Sequence, residues 1–199
     1  MFVCTAAVTC IAAVFFNFIL DRIFGFMKMS DKKVLVGILM GSDSDWDKIK
    51  GVTLALDEFG VGWEIHVMSA HRTPEQVLAY AETAAERGLK VIVAAAGGAA
   101  HLAGVVASHT CLPVIGIPVK TEFMGGLDSL LSVVQMPGDV PVATVGVGSG
   151  GARNAGILAV QMLALADPAL SEKLVAFKGK LVDKITAKNE AFHKKLEEA

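Results

Sequence analysis

Two histidines, one arginine and a turn rich in serine and aspartate are the residues of this chain whose types and neighbours suit chemistry. In Ser69-Ala70-His71-Arg72-Thr73-Pro74, a side chain that changes charge near neutral pH stands next to a planar cationic fork shaped for phosphate. Gly41-Ser42-Asp43-Ser44-Asp45 offers backbone N–H groups and two hydroxyls ahead of a helical stretch, a setting that attracts anions, although Ser and Asp are also the ordinary residues for starting a helix. Asp45 is then the odd member, because a carboxylate beside a bound phosphate costs energy unless neutral donors such as sugar hydroxyls bond to it. Gly97-Gly98-Ala99-Ala100-His101 closes a run of small residues with a second histidine. Such a run lets backbone approach a small flat ligand, and tight helix packing accounts for the alanines but not for two adjacent glycines.

Other chemistries find no support in the sequence. Gly146 to Gly151 formally fits GxGxxG, yet no later strand ends in the acidic residue that a dinucleotide fingerprint requires, so a tight strand-to-helix turn explains it. His66, His71, His101 and His109 have no metal-ligand spacing, no GxSxG elbow is present, and Cys111 reads as a small buried hydrophobe.

The elements that must hold these residues follow from periodicity. Apolar runs at 34–40, 63–68, 90–96, 113–117 and 141–146 predict strands, most of them buried on both faces. Stretches at 46–59, 74–87, 101–109, 126–134 and 151–166 carry apolar residues at three- and four-residue spacings and predict helices. A final amphipathic helix runs from Pro168 to about Glu197. Strands alternating with helices of this length mean βαβ units and a parallel sheet, whose ligands bind beyond the C-terminal strand ends. The loops at those ends are 41–45, 69–74, 97–101 and 118–128, and the first three hold the reactive residues.

Of 199 residues, 53% are hydrophobic, and 18 Lys and Arg face 20 Asp and Glu for a formal charge of −2. That balance excludes a disordered chain and a binder of polymeric nucleic acid. Three cysteines far apart give no disulfide framework and favour a reducing compartment. The hydrophobic excess is uneven, since residues 1–29 hold six of the ten Phe. Phe2 to Leu20 carries no charge and approaches the length of a bilayer span, but the basic residues follow it instead of preceding it, which disfavours export. Met29-Ser30-Asp31-Lys32-Lys33 reads as an ordinary N-terminus. Residues 1–29 are therefore expected to be a leader outside the fold, either a mis-set start or a dispensable extension, with a membrane anchor as the second reading. Membrane contact is expected only if that leader is real. Residues 30–199 are expected to form one catalytic domain.

Taken in order, GSDSDW (41–46), SAHRTP (69–74), AGGAAH (96–101) and DSLLSVVQMP (128–137) closely resemble the N5-carboxyaminoimidazole ribonucleotide mutase family, also called the catalytic subunit of phosphoribosylaminoimidazole carboxylase. The likeness spans about 33–166. It implies a three-layer α/β sandwich with a parallel, flavodoxin-like sheet, a cytoplasmic homo-octamer with active sites at subunit contacts, and a reaction on a small nucleotide with neither metal nor organic cofactor. It also implies that His71 is the catalytic histidine. By the same likeness Ser42, Asp45 and Arg72 bind the nucleotide with Ser44 and Ser69 beside them, and Gly97, Gly98 and His101 line the imidazole and carboxylate pocket. Ala103 departs from the family, which commonly has Pro there.

The implied reaction moves a labile carboxylate from an exocyclic nitrogen to a ring carbon, and it needs a proton at each end. One histidine can serve both ends, because an unperturbed pKa of ~6.5 makes either form available near neutrality. The expectation is that His71 shuttles the proton, Arg72 and the Ser42–Ser44 turn hold the phosphate, and Asp45 holds the ribose. His101 is expected to be a pocket wall or hydrogen-bond donor. Two rivals remain: direct carboxylation of the aminoimidazole ribonucleotide by carbon dioxide, and a flavodoxin-like or receiver-like binding module.

Overall fold

The computed structural model describes residues 33–198. Five parallel strands lie in the order β2-β1-β3-β4-β5: β1 (Val34–Met40), β2 (Gly62–Val67), β3 (Val91–Ala96), β4 (Val114–Pro118) and β5 (Ala143–Thr144). The chain order reverses between β1 and β3, which leaves a crevice beyond their C-terminal ends. The helices are α1 (Trp46–Ile49), α2 (Gly51–Phe59), α3 (Pro74–Thr83), α4 (Leu102–Ser108), α5 (Leu127–Val134), α6 (Ser149–Ala164) and α7 (Pro168–Glu197).

Alternation along the strands sorts the core into two layers. Val36, Ile38, Val91, Val93, Ile115 and Ile117 face α2 and α6, with Val52, Leu56, Ala155 and Ala159 packed on them. Leu39, Ile92 and Ala94 face the other way, against Val77 and Tyr80 of α3, Val106 of α4 and Val133 of α5. The result is the expected three-layer α/β sandwich, and the central strands are buried on both faces as their unbroken apolar runs imply. Helices α2 and α6 cross closely: a Cβ at Gly156 would lie 2.6 Å from the Val52 carbonyl oxygen. The long helix α7 starts at Asp167, whose carboxylate accepts from Ala169 N and Leu170 N, and Phe177 meets Phe59 edge-on at 5.4 Å. Beyond Phe177 every described residue of α7 is exposed.

Several boundaries differ from expectation. The single helix expected over 46–59 is interrupted at Lys50, just before Gly51, where the α6 backbone passes so near that a Cβ would stand 3.2 Å from Arg153 N. Helix α3 stops at Thr83 and the chain turns through Gly88, whose φ is +96°. Strand β5 is only two residues long: Pro141 has no N–H to extend the ladder at its start, and Val145 N bonding the Gly116 carbonyl is the last tie to β4. Gly148, at φ +91°, starts α6 two residues earlier than expected, in the tight turn foreseen for the GxGxxG match. Cys111 is exposed, not buried: it sits in the bend ahead of β4 and adds nothing to the core. The expectations for residues 1–29 lie outside the described residues. Among the described residues no helix is long and apolar enough to cross a membrane.

Candidate active site

All four strand-end loops converge on one cavity of about 480 Å³. Its wall is formed by Gly41, Ser42 and Asp45 after β1, Ser69 to Arg72 after β2, Ala96 to Ala99 after β3, and Thr121 after β4, with Leu102 beneath. The parallel crossovers dictate this convergence, since each returns the chain to the same edge.

The first loop is built differently from a plain helix start. A short 3-10 turn, Asp43–Asp45, precedes the four-residue α1, and the Ser44 N–H is taken by Ser42 Oγ at 3.3 Å and Asp43 Oδ1 at 3.0 Å. The loop therefore offers its hydroxyls, with Ser42 Oγ and Ser44 Oγ 2.8 Å apart, in place of the Ser44 N–H. Ser42 lines the cavity, whereas Ser44 meets it through this contact. Burial pushes the Asp45 carboxyl above its ordinary range, opposed by the charge of Lys48 and a backbone bond from the Ser42 region. Lys48 also reaches across to donate to the Lys120 carbonyl at 3.2 Å, which ties the β4 loop to α1 next to Thr121.

The second loop is tied to itself. Ser69 Oγ accepts from Arg72 N at 3.2 Å and His71 N at 3.4 Å, while Thr73 Oγ1 accepts from Ser69 N at 3.0 Å. Ser69 lines the cavity, and its hydroxyl is engaged in shaping the turn. The Arg72 guanidinium donates through Nη2 to the Gly41 carbonyl at 2.6 Å and bridges the first two loops. His71 Nε2 lies 2.8 Å from His101 Nδ1, with the rings edge to face at 4.9 Å. His101 is thus next to His71 and not on the cavity wall itself. The third loop turns at Gly98, φ +68°, and a Cβ on Gly97 would crowd Thr121 Cγ2 at 3.3 Å. Both glycines are needed there, one for its backbone angle and the other for close approach.

Residues 35–184 match a known protein family, AIR carboxylase. The chain belongs to the AIR carboxylase family. Among similar curated proteins, the N5-carboxyaminoimidazole ribonucleotide mutase of Mycobacterium tuberculosis is 55% identical over 163 residues, covering 82% of this chain and 92% of that one. The enzyme of the same name from Bacillus subtilis is 59% identical over 140 residues, covering 70% and 86%. Among solved structures, Treponema denticola PurE superposes with a TM-score of 0.70 at 28% identity, covering 77% of this chain and 94% of that one. A PurE2 variant from the same organism gives 0.73 at 26% identity, covering 80% and 98%. The sheet order alone would equally suit a flavodoxin-like or receiver-like module, and the family match removes that rival.

Sequence reasoning missed three residues of this candidate site. Thr121 lines the cavity and donates through Oγ1 to Asp128 at 2.8 Å. This bond is the leading cause holding the Asp128 carboxyl below its ordinary range. Ser129, fully buried, accepts from Gly98 N at 2.9 Å, and Ser132 donates to Gly98 O at 3.2 Å, so α5 clamps the glycine turn from below. The available signal was the DSLLS run, which places two serines three apart on one helix face. Among the described residues no cluster of three or more His, Cys, Asp or Glu could hold a metal.

Proposed function

We propose that this chain converts N5-carboxyaminoimidazole ribonucleotide into 4-carboxy-5-aminoimidazole ribonucleotide, a step of purine biosynthesis, with His71 as proton shuttle. The observation that carries the reaction is the 55% identity to a mutase across 82% of the chain, with the SAHRTP loop placed at the shared cavity. The Arg72 fork keeps N–H groups beyond the one given to Gly41, and with the Ser42 and Ser44 hydroxyls it is assigned the phosphate. Asp45 accepts from the ribose hydroxyls, and Gly97 and Gly98 leave room for the ring and its carboxylate.

The proton balance closes on one residue. Protonated His71 gives its proton to the carbamate nitrogen, the N–C bond breaks, and carbon dioxide is released beside the small residues 96–99. The ring carbon attacks that carbon dioxide and forms the new C–C bond. Neutral His71 then takes the proton from this carbon, which restores the aromatic ring and regenerates the starting imidazolium. The bond to His101 fits both states: an Nε2–H on His71 donates to His101 Nδ1 whether or not the His71 Nδ1 is protonated. Nδ1 of His71 is therefore the nitrogen assigned to the substrate, and Nε2 the one that fixes the ring.

The same reading places the chain in the cytoplasm as a homo-octamer, with residues 30–199 as its catalytic domain. Sedimentation of the purified protein tests the assembly. Supplying each substrate alone tests the reaction: product from the N5-carboxy compound without added bicarbonate is expected. Product formed only from aminoimidazole ribonucleotide with bicarbonate would replace it with direct carboxylation.

A further inference from the structure

Away from the cavity, on the α3 side of the sheet, a carboxylate is buried at the outer strand. Glu64 of β2 is only 7% exposed, and its Oε1 accepts from Tyr80 Oη at 2.7 Å and Arg87 Nη1 at 2.6 Å, with His66 Nε2 at 3.7 Å. The Arg87 guanidinium also covers the Tyr80 ring at 4.4 Å from its centroid. Glu64 sits opposite Gly37 of β1 in the sheet register, and a Cβ at Gly37 would overlap the Tyr80 hydroxyl, so the tyrosine passes over β1 only because that residue is glycine. None of these groups lines the cavity.

Their place in the chain gives them a use. Residues 69–73, with His71 and Arg72, connect the end of β2 to the start of α3, and Glu64 and Tyr80 stand on those two elements, before and behind the loop. Along α3, Tyr80 is six residues past Pro74, or about 9 Å at 1.5 Å per residue. Whatever fixes the helix against β2 at that depth fixes where the loop begins and ends. Burying a carboxylate and a guanidinium is a poor way to gain stability alone, since well-packed apolar residues of the same volume often do as well or better. Two directional bonds to one oxygen do, however, specify a position that apolar packing leaves softer.

We infer that the Tyr80–Glu64–Arg87 cluster is a positioning device for the catalytic loop, setting α3 on β2 so that the His71 imidazole stands where the proton must be transferred. The inference rests on His71 being the shuttle. Its effect is uneven across the loop. Proton transfer is sensitive to displacement, with about 1 Å able to cost on the order of a hundredfold in rate. Arg72, by contrast, has a long side chain and a separate tie to the Gly41 carbonyl, so phosphate binding tolerates the same shift.

The test compares Tyr80→Phe, which removes only the hydroxyl, with Gly37→Ala, which pushes the tyrosine from the opposite side, both assayed in the full chain well below their melting temperatures. Val160→Ala, a core truncation on the other face of the sheet, is the control for lost stability. Both test variants are expected to lower kcat about tenfold with KM within about twofold, and to move the ring 15N resonances of His71. Val160→Ala should do neither, and Glu64→Gln, which keeps the acceptor oxygen for Tyr80, should retain most of the parent kcat. A folded Tyr80→Phe with kcat and His71 resonances like the parent protein overturns the inference, and Gly37→Ala decides in the same way if Tyr80→Phe does not fold. An active His71→Asn would instead overturn the shuttle, which keeps the two failures apart.

Discussion

The β2–α3 unit carries two clusters of similar residues and opposite use. At the strand end His71 and Arg72 are exposed, and among the described residues no ion pair involves Arg72, whose guanidinium meets a neutral carbonyl. Seven residues upstream of His71, Glu64 draws His66 and Arg87 inward and is shielded from water along with Tyr80. An arginine already paired with a buried carboxylate has little left for an anion, whereas one resting on a carbonyl keeps its charge available. Under the proposed function, the presence of a carboxylate partner, more than the identity of the cation, separates a binding group from a scaffold group.

Substitutions should therefore split by cluster. The largest effect is expected from His71→Asn, a loss in kcat of about a thousandfold, in the range for removing a general acid–base, with substrate affinity by calorimetry within about threefold. Near-normal turnover would end its assignment. Next comes Glu64→Ala, which takes the carboxylate from the half-buried Arg87 and the acceptor from Tyr80, and should destabilise the fold by about 3 kcal/mol in urea titration. If the loss is under about 1 kcal/mol, the cluster is not the scaffold described. Arg72→Ala should raise the substrate Kd about tenfold through one lost charge-assisted contact, while leaving the urea midpoint almost unchanged. A drop in stability without a loss of affinity would reverse the contrast between the two arginines.

Acid stability reads the same buried carboxylate in a second way. Burial pushes the Glu64 carboxyl up, but the bonds from His66, Arg87 and Tyr80 and the Arg87 charge outweigh it and hold the group at about 2, below its ordinary 4.5. A carboxylate depressed in the folded state stabilises the protein above its unfolded value and loses that contribution as pH falls toward the folded one. Stability should thus decline between about pH 4.5 and 2, and the decline should be shallower in Glu64→Gln. Equal slopes in the two proteins would mean that Glu64 is not held ionised by its neighbours.

Much of the site was legible because its pieces are local. SAHRTP and GGAAH announce themselves by residue type within six positions, and the strand-helix alternation places both at one edge of a parallel sheet. Thr121 was not legible, since a lone hydroxyl in a loop has no periodic signature, and the DSLLS run marked Ser129 on a helix face without showing that it meets the Gly98 turn. Cys111 was misread for a related reason. Its small apolar side chain suits a core, but the bend before β4 turns it to the surface.

The sequence by itself determined the parallel α/β arrangement, the loops that carry chemistry, and the edge at which they meet. These follow from period and crossover handedness, which depend on residue order alone. Tertiary structure decided which side chains touch. The His71–His101 contact spans 30 residues, Arg72 reaches back 31 to Gly41, and Arg87 reaches back 23 to Glu64. Each depends on helix placement to within about an ångström and on one rotamer at each end, and a hydrogen bond weakens steeply outside that tolerance. No pattern along the chain carries that information, because close packing of all the layers sets it together.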